Sequence, residues 1–139
     1  MATYDILARS SGAGGPKWIT DSQGVLAGCT GALTLSNIVL RTLFTTKGTV
    51  ATSRSEGTYL PNLVGVVADI DQAKAAAIAS ISDAESYIKK MQSRSPVSKK
   101  ETLSRLVLNN ILVGDGPSLL LRVLIYNADD DVIPLEVIV

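Results

Sequence analysis

Few side chains in this chain are equipped for chemistry. Its 139 residues contain no histidine and one cysteine, Cys29. Without histidine there is no Ser-His-Asp or Cys-His catalysis, no imidazole base and no ordinary zinc or non-haem iron site. Cys29 stands between Gly28 and Thr30 in an apolar stretch and reads as a small buried hydrophobe. A lone cysteine forms no internal disulfide. Carboxylates are the remaining route to hydrolysis. A glycosidase sets two of them about 5–10 Å apart, one with a raised pKa. The four glutamates, Glu56, Glu85, Glu101 and Glu136, fall in a polar loop, a helix, a basic turn and the last strand. Nothing in their spacing forces convergence, and each reads as a solvated charge. Asp129-Asp130-Asp131 lacks the alternating ligands, glycine and distal glutamate of a calcium loop, so it reads as a solvated turn. Gly12-Ala13-Gly14-Gly15-Pro16-Lys17 lacks the GK[ST] ending and following helix of a phosphate loop and reads as a flexible joint. No catalytic residue, metal ligand or cofactor is expected.

Composition narrows the partners. Thirteen basic residues balance thirteen acidic ones, with 46% hydrophobic and 19% charged. A neutral chain has no field to gather nucleic acid or an anionic membrane. The local basic stretch Arg94-Ser95-Pro96-Val97-Ser98-Lys99-Lys100 has no interleaved aromatics on which bases would stack. Apolar runs break well before 18 residues, and MATYDILARSSGAGG is not ordered like a secretory leader. No nucleic-acid or membrane partner is expected. A mean hydropathy of +0.27 at zero net charge gives little colloidal protection, so protein partners are expected to cover part of the surface.

The positioning elements read as one α+β domain over 1–139, with 1–15 a flexible N-terminal arm. Lys17–Thr20 is strand-like, Asp21-Ser22-Gln23-Gly24 a turn, and Val25–Thr34 extended, together an irregular β arm with a hairpin. Ser36 is placed to cap a short helix ending near Thr46, punctuated by Lys47-Gly48. A polar loop follows to Pro61, and Asn62–Ala68 is apolar. The long helix runs from Ile70 to about Arg94, capped by Asp69 or Asp71 and stopped by Pro96. Ala73, Ala77, Ile78, Ile81, Ala84, Ile88 and Met91 recur at helical spacing, and the alanines invite close packing. From Leu103 the pattern turns to β in three runs, joined at Gly114–Pro117 and Ala128–Asp131. The middle run, Leu119–Asn127, is largely apolar on both faces, which predicts that both are covered. Pro134 places the last run at a sheet edge. An apolar edge over Val132, Ile133, Leu135, Val137 and Val139 invites strand addition by another chain. The loop residues Arg94, Pro96, Val97, Lys99 and Lys100 form the second candidate contact.

The ordered set of features resembles a known family. It comprises Asp21-Ser22-Gln23-Gly24, then Leu35-Ser36-Asn37, then Leu43-Phe44-Thr45-Thr46-Lys47-Gly48-Thr49 after the short helix. Gly57 in a polar loop, a long helix through Ile88 to Pro96-Val97, and paired strands joined by an acidic turn complete it. Together they resemble the small baseplate wedge proteins of contractile phage tails, the lysozyme-like baseplate family, whose relatives occur in bacterial contractile injection machines. An acidic–Pro–Arg signature follows the long helix in that family; Ser95-Pro96-Val97 stands here, with Arg94 before it. The resemblance implies a non-enzymatic virion protein of the tail baseplate, assembled in the host cytoplasm. It would join the baseplate to the tail sheath and template sheath assembly through its C-terminal strand. Its partners would be the sheath protein, other wedge proteins, and hub or tube proteins. The alternatives are a peptidoglycan-cleaving glycosidase of the tail, or the equivalent subunit of a bacterial contractile injection system.

Overall fold

The computed structural model describes residues 5–6, 8–10, 16–18, 28–29, 31–63, 70–113 and 119–138. Two helices pack against a three-stranded antiparallel sheet, which bears out the α+β expectation. The first residues supply short strands: β1 (Asp5–Ile6), β2 (Ala8–Ser10), β3 (Pro16–Trp18) and β4 (Gly28–Cys29). They pair in a nested order, β2 with β3 and β1 with β4, both antiparallel. The turn expected at Asp21–Gly24, most of the flexible joint, and the side chain of Cys29 lie outside the described residues.

Helix α1 spans Ala32–Phe44, earlier than Ser36 would start it. Gly31 takes φ 65°, a conformation open to glycine, and its amide donates to the Glu101 carboxylate at 3.0 Å across 70 residues of sequence. A carboxylate at a helix N-terminus satisfies an orphan donor and the dipole together. The true start of α1 is therefore set by a distant strand-side residue. Ser36 falls in the second turn.

The end of α1 is tied down by Thr58, which is fully buried. Its hydroxyl donates to the Leu43 carbonyl at 2.9 Å and accepts from the Leu60 amide at 3.1 Å. Its backbone bonds Thr45 and Lys47 on either side. The Leu43–Thr49 motif is thus a helix exit whose free carbonyls are taken by the 58–60 segment. Gly57, at φ 102°, makes room: a Cβ there would lie 2.3 Å from the Thr45 carbonyl oxygen. A 3-10 helix, Leu60–Leu63, follows.

Helix α2 spans Ile70–Arg94, as its periodicity predicts. The Asp69 cap lies outside the described residues. Ala73, Ala77, Ile81, Ala84 and Ile88 enter the core beside Leu35, Val39, Leu40 and Leu43 of α1. Ile78 does not: one residue off this stripe, it is 58% exposed.

The sheet runs β5 (Leu103–Val113), β6 (Leu119–Asn127), β7 (Val132–Ile138), in that order. Two register shifts in β5 leave Ser104 and Asn109 as extra, exposed residues. Leu103, Leu106, Leu108 and Ile111, spaced 3-2-3, then share one face opposite Asn127, Ile125, Val123 and Leu121. Without the bulges, half of them would turn to solvent. The outer face of β6 is only half-covered, contrary to expectation. The Arg105 guanidinium stacks 4.1 Å from the Tyr126 ring centre, and Arg122 pairs with Glu136 across strands at 3.1 Å. Charged stems thus shield part of that face.

Gly57→Ala forces a side chain into the Thr45 carbonyl at positive φ. It should lower unfolding stability by about 2 kcal/mol or more in denaturant melts. Gln92→Leu should cost about 3 kcal/mol, because Gln92 joins α2 to β5 by two buried hydrogen bonds and their backbone partners would be orphaned.

Candidate functional site

A strand at a sheet edge exposes every second amide and carbonyl. The two edges of this sheet are treated differently. Along the first half of β5, α2 runs antiparallel and takes the outward amides of Leu103 and Leu106 with its own side chains. Glu85 Oε2 accepts from Leu106 at 2.9 Å, and Gln92 Oε1 accepts from Leu103 at 2.8 Å. Gln92 Nε2 returns a bond to the Glu101 carbonyl at 2.8 Å. Seven helical residues and three strand residues both advance about 10 Å, so the two acceptors match the two donors. The bulge at Ser104 is what lets both Leu103 and Leu106 aim their amides at the helix.

At β7 no described strand takes the outer edge. The register fixes what that edge offers. Asn127 bonds the Asp131 carbonyl and Leu106 bonds Glu85, so Ile125 and Asn127 direct their backbone bonds toward β7. Val132, Pro134, Glu136 and Ile138 therefore point theirs away from β6. Pro134, lacking an amide hydrogen, sits where none is needed by the sheet. The outward row presents three amides, at 132, 136 and 138, with a gap at 134.

The predicted β7 contact residues divide by face. Val137 is fully buried in the protein's own core, and Ile133 and Leu135 are half-buried against it. Val132 is 49% exposed on the outer face. Val139 lies outside the described residues. Side chains at 133, 135 and 137 serve this chain's fold, so any strand added at β7 is held chiefly through backbone.

In the loop after α2, Arg94, Pro96, Lys99 and Lys100 are exposed and Val97 is half-buried. The loop is pinned: Thr102 Oγ1 donates to the Ser98 carbonyl at 2.8 Å, and the Glu101 amide bonds Ser98 at 3.0 Å. Buried Asn127 donates to the Lys100 carbonyl at 3.2 Å and accepts the amides of Asp129 and Asp131. Ala128 bonds the Thr102 carbonyl. The basic loop and the acidic turn that begins β7 are thereby brought to one end of the sheet. The two candidate surfaces, far apart in sequence, are neighbours there.

Two of the four glutamates, Glu85 and Glu101, depart from the solvated reading. Glu101 is fully buried, its carboxylate on the Gly31 amide. Glu85 bonds Leu106 and, at 2.9 Å, Lys89. Burial pushes its carboxyl up, but the Leu106 amide, the Lys89 ammonium and the Arg105 charge outweigh that and hold it below the usual 4.5. A general acid needs the opposite shift. Glu136 is exposed and paired with Arg122. Sequence reasoning missed Gln92, Thr58 and the joint work of Glu85 and Glu101 on backbone amides. Their partners lie on other elements, and no local pattern announces them.

Because the folded carboxyl titrates below its ordinary value, Glu85 stabilises the fold above that value. The stabilisation is lost as pH falls through the lower folded value. Glu85→Gln should flatten the acid limb of stability against pH, read by denaturant melts from pH 6 down to about 2.5.

Comparison with protein-family models, curated proteins and solved structures finds no match for this chain.

Proposed function

We propose that this chain is a structural, non-enzymatic subunit of a contractile tail baseplate, a wedge protein that joins the baseplate to the sheath. Its C-terminal strand would initiate sheath assembly by accepting a strand from the sheath protein. The observation that carries this is the asymmetry of the sheet: helix side chains cap the first half of the β5 edge, while no described strand pairs with the outward backbone groups of β7. Strand addition requires such an edge, and main-chain bonds would supply most of its affinity. The loop bearing Arg94, Pro96, Val97, Lys99 and Lys100 would meet neighbouring baseplate subunits at the same end. The resemblance described above gives the biological setting. The alternative setting, the equivalent place in a bacterial contractile injection system, would use the same edge chemistry.

Removing β7 is a poor test, because Val137 belongs to the core. Glu136→Pro is a better one. It deletes an outward amide and leaves the bonds to β6 in place; the exposed Arg122 pair it breaks contributes about 0–1 kcal/mol. The variant should fold, with a melting temperature near that of the parent, and incorporate into baseplates. Sheath should fail to polymerise on them, as seen by electron microscopy of assembled particles. Normal sheath on baseplates carrying Glu136→Pro would refute strand addition. Absence of the chain from purified contractile particles would refute the baseplate assignment itself.

A further inference from the structure

A cleft of about 220 Å³ lies where the C-terminal turns of α2 face the loop before the 3-10 helix. Two cations one helical turn apart, Lys90 and Arg94, stand on its helix side. Met91 lies between them, and four hydroxyls complete the lining: Ser53 and Ser55 from the loop, Tyr87 from α2 and Ser95 just beyond it. Ser53 Oγ and Tyr87 Oη lie 3.5 Å apart across 34 residues of sequence, closing one end. The turn bonds Ser53 to Val50 and Glu56 to Ser53 hold the loop in that position. Among the described residues no carboxylate lines the cleft.

Some cations elsewhere on the chain are ion-paired. Lys47 has Asp83, Lys89 has Glu85 and Arg122 has Glu136. Neither Lys90 nor Arg94 has an ion pair among the described residues. Basic residues at a helix C-terminus complement the dipole, which accounts for their presence. It does not account for the two serine hydroxyls, Ser53 and Ser55, brought opposite them from a separate loop. Two like charges at i and i+4 repel, and an anion between them relieves that repulsion. Cations with hydroxyl donors suit a carboxylate, which is an acceptor only. The volume holds one or two such side chains rather than a larger ligand. Arg54 between the two serines, and Lys99 and Lys100 in the loop after α2, are exposed cations as well.

We propose that this cleft docks an acidic segment of a partner polypeptide. An Asp or Glu carboxylate sits between Lys90 and Arg94 and accepts from the Ser53 and Tyr87 hydroxyls, while flanking acidic residues meet the exposed cations. The inference deepens the reading of the loop after α2 as a partner face, and it does not depend on strand addition at β7.

The test is a fluorescence-anisotropy titration of the full chain at low ionic strength with a labelled Glu-Ser-Glu-Asp-Glu peptide. Its Gln/Asn isostere is the control. The acidic peptide should bind saturably and the isostere about tenfold or more weakly. Lys90→Glu and Arg94→Glu should each weaken binding by about tenfold or more, and Tyr87→Phe by a few-fold. Lys74→Glu, an exposed cation on the other half of α2, should leave it unchanged. Circular dichroism should show every variant folded. No saturable binding, equal binding of the isostere, or an equal loss from Lys74→Glu would overturn the proposal. So would complete competition by low-millimolar inorganic phosphate, which would mark a free-anion site. Self-association of the chain, lost in Asp130→Asn, would make the occupant a second copy and overturn the partner assigned here. Sheath assembly in particles is a separate readout, so this proposal and strand addition can fail independently.

Discussion

Gln92 does for strand β5 what a neighbouring strand would otherwise do. Its amide accepts from the Leu103 backbone and donates to the Glu101 backbone, and Glu85 two turns earlier accepts from Leu106. These bonds lock the direction of α2 to that of β5, so the helix cannot slide without orphaning buried polar groups. Once α2 is fixed, its alanine stripe admits α1, and the core forms between them and the inner face of the sheet. The same bonds hold Glu101, whose carboxylate begins α1. One helix edge thus sets the position of the other helix, and on the far side of the sheet no described strand pairs with β7.

Long, strongly periodic pieces were legible in the residues. Ile70–Arg94 announced itself by helical spacing and the proline beyond it, and Pro134 correctly marked an edge strand. Elements whose limits depend on distant partners were not. Local rules chose Ser36 to begin α1, whereas a glycine at positive φ and a carboxylate 70 residues away begin it at Gly31. Strict alternation would scatter the leucines of β5 over both faces, and only the bulges at Ser104 and Asn109 gather them. Ile78 counted toward the apolar stripe by identity, but a 100° step puts it on the shoulder of the helix.

The candidate surfaces divided in the same way. Basic residues after α2 and an apolar terminal strand could be found by composition, and both are where the sequence reading put them. Their meeting at one end of the sheet depends on Asn127, a single buried amide bridging the acidic turn to the Lys100 carbonyl. Glu85 and Glu101 were misjudged because a charge's environment belongs to the tertiary structure. Glu101 looks like any acidic residue in a basic turn until its amide partner on another element is known.

The gap at Pro134 sets a limit rather than an alignment. A strand pairing along β7 would carry an acceptor at every second residue, so in any register that crosses Pro134 it would meet the same missing hydrogen and forfeit the same bond. Backbone alone would treat slips of two residues as equal, and choice among them would fall to side chains. The proline thus caps what main-chain pairing at this edge could supply, and it makes the edge a poorer seed for indiscriminate stacking.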